Sequence, residues 1–226
     1  MKKSKLQFLL YHIAFVFFVL TMSMFTIQSC EPDDNVETDD CDTCIIVRKP
    51  NIYLFPQENL NLEVFLEFPQ GGKVIYSIPD YQNGWSIFVD TLGIIDNSFK
   101  YLFYESKLPD VWQYKKGWIV RREELTSFFN NNLMEYGFGE KEITDFTEYW
   151  IPRLNDYKFY EIYPQEKQII DEVIKLHIFK EPDNILRLFY ALKGSNDYKS
   201  NIESQKINNT FERKGFYVTE WGVILK

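Results

Sequence analysis

Six polar residues stand inside aromatic blocks of this sequence: Glu105, Glu142, Asp145, Arg153, Arg187 and Glu220. Two carboxylates facing each other across a cleft at about 5–10 Å can divide the acid and base work of glycoside hydrolysis. Glu105 and Glu220 are the pair offered for that chemistry. The competing reading is an Arg–carboxylate network holding sheet to helices, because acids and arginines among large apolar neighbours either pair structurally or line a pocket. The two readings separate on geometry. A hydrolase needs these side chains to converge on one open cleft; a scaffold needs each one satisfied by a local partner.

Other reaction classes find little support. His12 and His177 are the two histidines, and His12 falls in a segment that reads as a cleaved signal, so a Ser-His-Asp or Cys-His device would depend on His177. That residue sits in Ile174-Lys175-Leu176-His177-Ile178-Phe179, which alternates like a strand and puts His177 on the wetter face with Lys175 and Phe179. It reads as a surface histidine. Gly-rich phosphate loops, zincin motifs and nucleophile elbows are absent. Cys41 and Cys44 form a C-x-x-C spacing among Asp39, Asp40 and Asp42. Those charges oppose a thiolate, and two thiolates with one histidine fall short of a zinc set. A local disulfide is the first reading, with redox and zinc centres behind it, and no metal or cofactor is expected. Exposed tryptophan can stack on sugar rings. Trp112, in the loop-like Val111-Trp112-Gln113-Tyr114, is the candidate for that role, against the ordinary alternative that aromatics fill cores.

The N-terminus says where these residues are taken. Met1-Lys2-Lys3-Ser4-Lys5 is basic, residues 6–27 carry no charge, and Ile27-Gln28-Ser29-Cys30 follows. A basic start, an apolar stretch and a small residue before the cut describe a secretory signal. The final four residues resemble the lipobox of bacterial lipoproteins, which implies lipid (palmitate among the acyl chains) on Cys30 and removal of residues 1–29. An uncleaved membrane anchor is the alternative, since the apolar run is long enough to span a bilayer. Residues 30–43 then form an acidic tether, with seven acids between Glu31 and Thr43 and no base, a composition that stays extended and solvated. Its position resembles acidic export signals that send some lipoproteins to the outer face of the outer membrane; a plain spacer is the other reading. A calcium loop lacks the central Gly and the closing Glu.

The chain has 226 residues, with 25 Lys+Arg against 33 Asp+Glu and a net charge of −8. A hydrophobic share of 45% excludes disorder as the main state. The acidic balance argues against nucleic acid, which needs a basic surface. Much of that acidity belongs to the tether, so the folded part is only mildly acidic.

Residues 44–226 must position any chemistry. Runs at 45–55, 60–68, 73–78, 85–89, 99–104 and 117–120 alternate or are apolar and end at Pro, Gly or Asn-Gly turns, as strands do. This predicts a sandwich-like antiparallel first half. The period then becomes helical. Leu125, Phe128, Phe129, Leu133 and Tyr136 precede Gly137, and Ile143, Phe146 and Trp150 stripe a second helix that Pro152 ends. Strands return at 157–163, 174–179, 185–192 and 216–225, with a short helix near 165–172 and a polar loop over 193–209. The expectation is a single α+β domain with a β-rich first half, a helix pair and further strands.

Several blocks resemble a family of secreted or envelope proteins of uncharacterised function. They are Lys49-Pro50-Asn51-Ile52-Tyr53-Leu54-Phe55-Pro56, like K-P-x-I-Y-L-Y-P; Tyr81 to Trp85 with its G-W; Tyr101-Leu102-Phe103-Tyr104-Glu105, like Y-L-F-W-E; Asp145-Phe146 with Tyr149-Trp150-Ile151-Pro152-Arg153-Leu154, like Y-W-L-P-R-L; Leu186-Arg187-Leu188-Phe189, like R-V-F; and Glu220-Trp221-Gly222, where Val223 replaces the family's second glycine. The resemblance implies one continuous domain and supplies no activity. The expected protein is a membrane-anchored envelope lipoprotein of the outer membrane, with exposure at the cell surface as the finer expectation. Its domain reads as a non-catalytic binding or structural module for a glycan or an envelope protein. A carboxylate-based hydrolase of envelope or environmental glycans is the alternative.

Overall fold

In the computed structural model, strand β1 (Cys44–Phe55) runs through the middle of an eight-stranded sheet and is buried on both faces at Ile52, Tyr53 and Leu54. Residues 44–198 and 202–226 are described, so the signal, Cys30, the tether and Cys41 lie outside the described residues. The other strands are β2 (Leu60–Glu67), β3 (Lys73–Ile78), β4 (Trp85–Val89), β5 (Leu102–Pro109), β6 (Lys116–Arg121), β7 (Phe159–Glu166), β8 (Lys175–Ile178), β9 (Asn184–Ser195), β10 (Glu203–Ser204) and β11 (Tyr217–Leu225). Helices are α1 (Leu125–Tyr136), α2 (Glu140–Trp150) and α3 (Lys167–Val173). The large sheet has the order β10-β6-β7-β9-β11-β1-β5-β3, and a small sheet has the order β4-β2-β8.

The large sheet separates two cores, because successive side chains on a strand point to opposite faces. On one face Ile52, Leu54, Tyr104, Phe189 and Val218 meet Leu62, Val64 and Leu66 of β2, Trp85 and Ile87 of β4, and Ile170 and Val173 of α3. On the other, Tyr53, Ile162, Leu188, Tyr190 and Trp221 meet Leu125, Phe129 and Leu133 of α1 and Ile143, Phe146 and Trp150 of α2. The result is a helix pair, a central sheet and a covering sheet, an α+β architecture as the period change predicts. The helix pair turns at Gly137, whose φ of +105° suits glycine. Phe138 N–H donates to the Leu133 carbonyl and Gly137 N–H to that of Met134, which closes α1 in a Schellman motif.

Three details differ from the sequence-based expectation. β9 and β11 pair in parallel at the centre of an otherwise largely antiparallel sheet. The strand expected at 99–104 runs instead from Leu102 to Pro109: Glu105, Ser106 and Lys107 look like a polar end, but they pair with β1 on one side and β3 on the other. Within the stretch expected to be a loop, β9 extends to Ser195 and β10 pairs in parallel with β6.

Candidate functional site

The central sheet divides the six candidate polar residues. Arg187 and Glu220 lie on the face covered by the small sheet, with side chains 1% and 0% exposed. Arg187 Nε donates to Glu220 Oε2 at 2.5 Å, and its NH1 donates to Asp171 Oδ1 and to the Ile174 carbonyl, both at 2.6 Å. Tyr104 OH donates to Glu220 Oε1 at 2.8 Å. Burial, and then the charge of Glu220, push the Tyr104 phenol well above its ordinary pKa, so it stays a donor. This buried network ties β5, β9, β11 and α3 together and leaves only the second terminal nitrogen of the Arg187 guanidinium without a hydrogen-bond partner. Glu105 follows Tyr104 on β5 and therefore faces the opposite side of the sheet. Glu105 and Glu220 cannot flank one glycosidic bond, which overturns their pairing as catalytic acid and base.

Glu142 is also satisfied locally. It is 1% exposed. Its carboxylate accepts from the Gly139 N–H at 2.5 Å, closing the N-terminus of α2, and from Thr219 Oγ1 at 3.0 Å and Arg213 NH2 at 2.8 Å. Those bonds pin the helix to β11 and to the segment before it.

Glu105, Asp145 and Arg153 instead gather around Lys49, a residue that its local sequence does not single out. Pro50 has no N–H to give the ladder, so a proline inside a central strand requires an irregularity. β1 bulges there: its register against both β11 and β5 shifts just before Asn51, and Lys49 takes a φ of +55°. Bulges re-aim side chains. The Lys49 ammonium lies 4.8 Å from the ring centre of Tyr101, 4.4 Å from Phe103 and 5.2 Å from Tyr149. It donates to Asn51 Oδ1 at 3.3 Å and to Tyr101 OH at 3.4 Å. Among the described residues it forms no ion pair with a carboxylate. Burial lowers its pKa to about 8, only partly offset by the charges of Asp145 and Glu105. Asp145 is held by Tyr53, whose OH donates to Oδ2 at 2.9 Å. Arg153 stacks 3.8 Å from the Tyr149 ring centre, and its NH1 donates to the Tyr149 carbonyl at 2.6 Å.

This amine opens into a cleft of about 680 Å³, walled by Tyr76, Phe99, Tyr101, Phe103 and Tyr149, with Glu105, Lys100 and Ser98 among its polar groups. That size suits a small ligand. Tyr76 is 54% exposed, on the outermost strand of the sheet. The walls come from β3, the loop before β5, β5 itself and α2. One signal in the sequence marks the place: Pro50 inside a central-strand pattern, which implies a bulge beside Lys49.

Trp112 has a different place from the one its sequence context suggests. It is 5% exposed and packs toward Phe189, with ring centres 6.1 Å apart, in the core beneath the small sheet. The reason is a reciprocal clamp on its loop. Gln113 N–H donates to Gln165 Oε1 at 3.0 Å, while Gln165 Nε2 donates to the Gln113 carbonyl at 2.9 Å. The clamp turns Trp112 inward and leaves Val111 exposed, so Trp112 has no face to offer a sugar. His177 lies on β8, stacked on Phe65 at 4.3 Å and 2.9 Å from a Glu67 carboxylate oxygen, on the outer surface of the small sheet. Cys44 is disulfide-bonded; Cys41 lies outside the described residues. Among the described residues no cluster of potential metal ligands forms, and no helix is long and apolar enough to cross a membrane. The apolar run at 6–27 lies outside them.

Comparison with family models, with curated proteins and with solved structures finds no match to this chain.

Proposed function

We propose that this chain is a lipid-anchored envelope protein whose domain is a non-catalytic binding module, with the cleft at Lys49 as its ligand site and a glycan as its ligand. The observation that carries this reading is the exposed Tyr76 ring set beside the half-buried Tyr101 and Tyr149 and a few polar groups in one open cleft. A pyranose presents an apolar C–H face to such rings and hydroxyls to Lys100, Glu105 and Ser98. The anchoring half rests on Ile27-Gln28-Ser29-Cys30 and the acidic segment behind it, which would hold the domain at the outer membrane. Acyl chains supply about 0.8 kcal/mol per buried methylene, enough for stable anchoring when more than one is attached.

A glycan array probed with the full chain tests the ligand site. Tyr76 contacts Phe103 edge-on at 5.6 Å and is otherwise largely open, so Tyr76→Ala should fold normally. An aromatic contact is worth about 0.5–1.5 kcal/mol, so the variant should bind about three- to tenfold more weakly. A wild type that binds no glycan, or a variant that binds as well as wild type, removes the proposal. For the anchor, Cys30→Ala should move the protein from the detergent phase to the aqueous phase and eliminate the acyl mass. Identical partitioning and mass would sink the lipoprotein reading.

A further inference from the structure

We infer that Lys49 is a reactive amine that captures aldehydes in the cleft, such as the open-chain end of a reducing sugar, as a reversible imine. This rests on reading the cleft as the ligand site, and it adds a covalent step to that reading.

Lys49 lacks the partner that a structural lysine would have. A buried cation with a structural task is held by carboxylates at ion-pair distance, as Arg187 in the same sheet is held by Asp171 and Glu220. Lys49 has no such partner among the described residues, and its neighbours are three aromatic rings and two neutral oxygens. The charged groups that act on it are Asp145 from α2, Glu105 from β5 and Arg153 from the turn after α2, and the pull of the two acids is outweighed by burial. Burial lowers the Lys49 pKa to about 8, so a fraction of the amine is neutral near neutral pH. The chain also accepts a cost to place it there. The Lys49 backbone sits in the left-handed region at a φ of +55°, a strained conformation for a non-glycine residue of the kind found at functional sites. An accessible amine with a lowered pKa is the arrangement used for imine formation with carbonyl compounds.

The step balances without an oxidant or reductant. The lone pair of Lys49 Nζ attacks the aldehyde carbon, and the C–N bond forms as the carbonyl π pair moves to oxygen. The nitrogen loses a proton and the oxygen gains one, giving a carbinolamine. The hydroxyl then takes a second proton and leaves as water, while the nitrogen gives up its remaining proton and the C=N bond forms. Tyr101 OH, 3.4 Å from Nζ, is placed to pass protons. Burial raises its pKa, so it remains a phenol that can both accept and donate. Glu105 lines the same cleft.

The test treats the full chain with benzaldehyde and cyanoborohydride across a pH series and maps labelled peptides by mass spectrometry. At pH 7 Lys49 should carry at least about tenfold more label than a typical surface lysine, whose neutral fraction is more than about a hundredfold smaller. Its labelling rate should climb about tenfold per pH unit and level off near pH 8, while other lysines continue to rise toward about pH 10. Lys49→Arg should remove the excess label and leave the labelling of the other lysines unchanged. Label spread over the lysines by exposure alone, or a Lys49 profile parallel to the rest, overturns the inference. A methyl glycoside, which cannot open to an aldehyde, separates the two ideas: if it binds the cleft while Lys49 stays unlabelled by benzaldehyde, the glycan site stands and the covalent step falls.

Discussion

Arg187→Ala should lower the unfolding free energy by about 3–5 kcal/mol, because it strands the Glu220 carboxylate in a dry core. Both side chains are essentially inaccessible, and the guanidinium bridges Glu220, Asp171 and the Ile174 carbonyl. With its partner gone, Glu220 retains one hydrogen bond, from Tyr104. The pair itself is a different quantity. Replacing both residues, as in Arg187→Met with Glu220→Leu, should recover most of the loss, since apolar groups of similar volume often match a buried ion pair. Urea unfolding of the full chain measures both. Should the single variant prove too unstable to purify, Glu220→Gln keeps the shape and should show an intermediate loss. A single variant that costs under about 1 kcal/mol, or a double variant no better than the single, would show that this network does not organise the fold as argued.

Trp112→Ala should also cost about 3–5 kcal/mol, the usual penalty for deleting a large buried ring. The side chain fills the core between the central sheet and its covering sheet, against Phe189. The lining of the Lys49 cleft lies on the helix-side face and edge of the sheet. The variant should therefore lower the thermal midpoint while leaving glycan affinity per folded molecule unchanged. Lost binding with unchanged stability would return Trp112 to the role its loop context suggests. The contrast with Tyr76→Ala is direct: one aromatic residue supports the fold and the other lines the open cleft.

Both expectations show where local sequence ceases to inform. In a strand, alternation tells which residues share a face, so it alone places His177 beside Lys175 and Phe179. In the loop at Val111-Trp112-Gln113 no period exists, and the inward turn of Trp112 depends on Gln165, which is distant in sequence. The six polar candidates meet the same limit. Each can be assigned to a strand or helix from its neighbours. Glu105 and Glu220 fall on opposite faces only because the strand order and register set β5, β1 and β11 side by side. Pro50 marks a bulge beside Lys49, but nothing local shows what surrounds the amine, because Tyr101, Phe103 and Tyr149 reach it from other elements.

Residue order alone accounts for the local and compositional layer: the helix pair with its Gly137 stop, most strands of the α+β domain, and the boundary between the acidic segment and the apolar-rich chain. Periodicity and turn chemistry act over a few residues and are readable there. Which polar groups are sealed and which meet solvent is a matter of tertiary packing. That outcome depends on long-range strand pairing, including the parallel β9–β11 contact, and on a bulge whose direction is set by its neighbours on both sides. Desolvation follows from that packing, so the shift in the Lys49 amine is a property of the assembled cleft and has no counterpart in the local sequence.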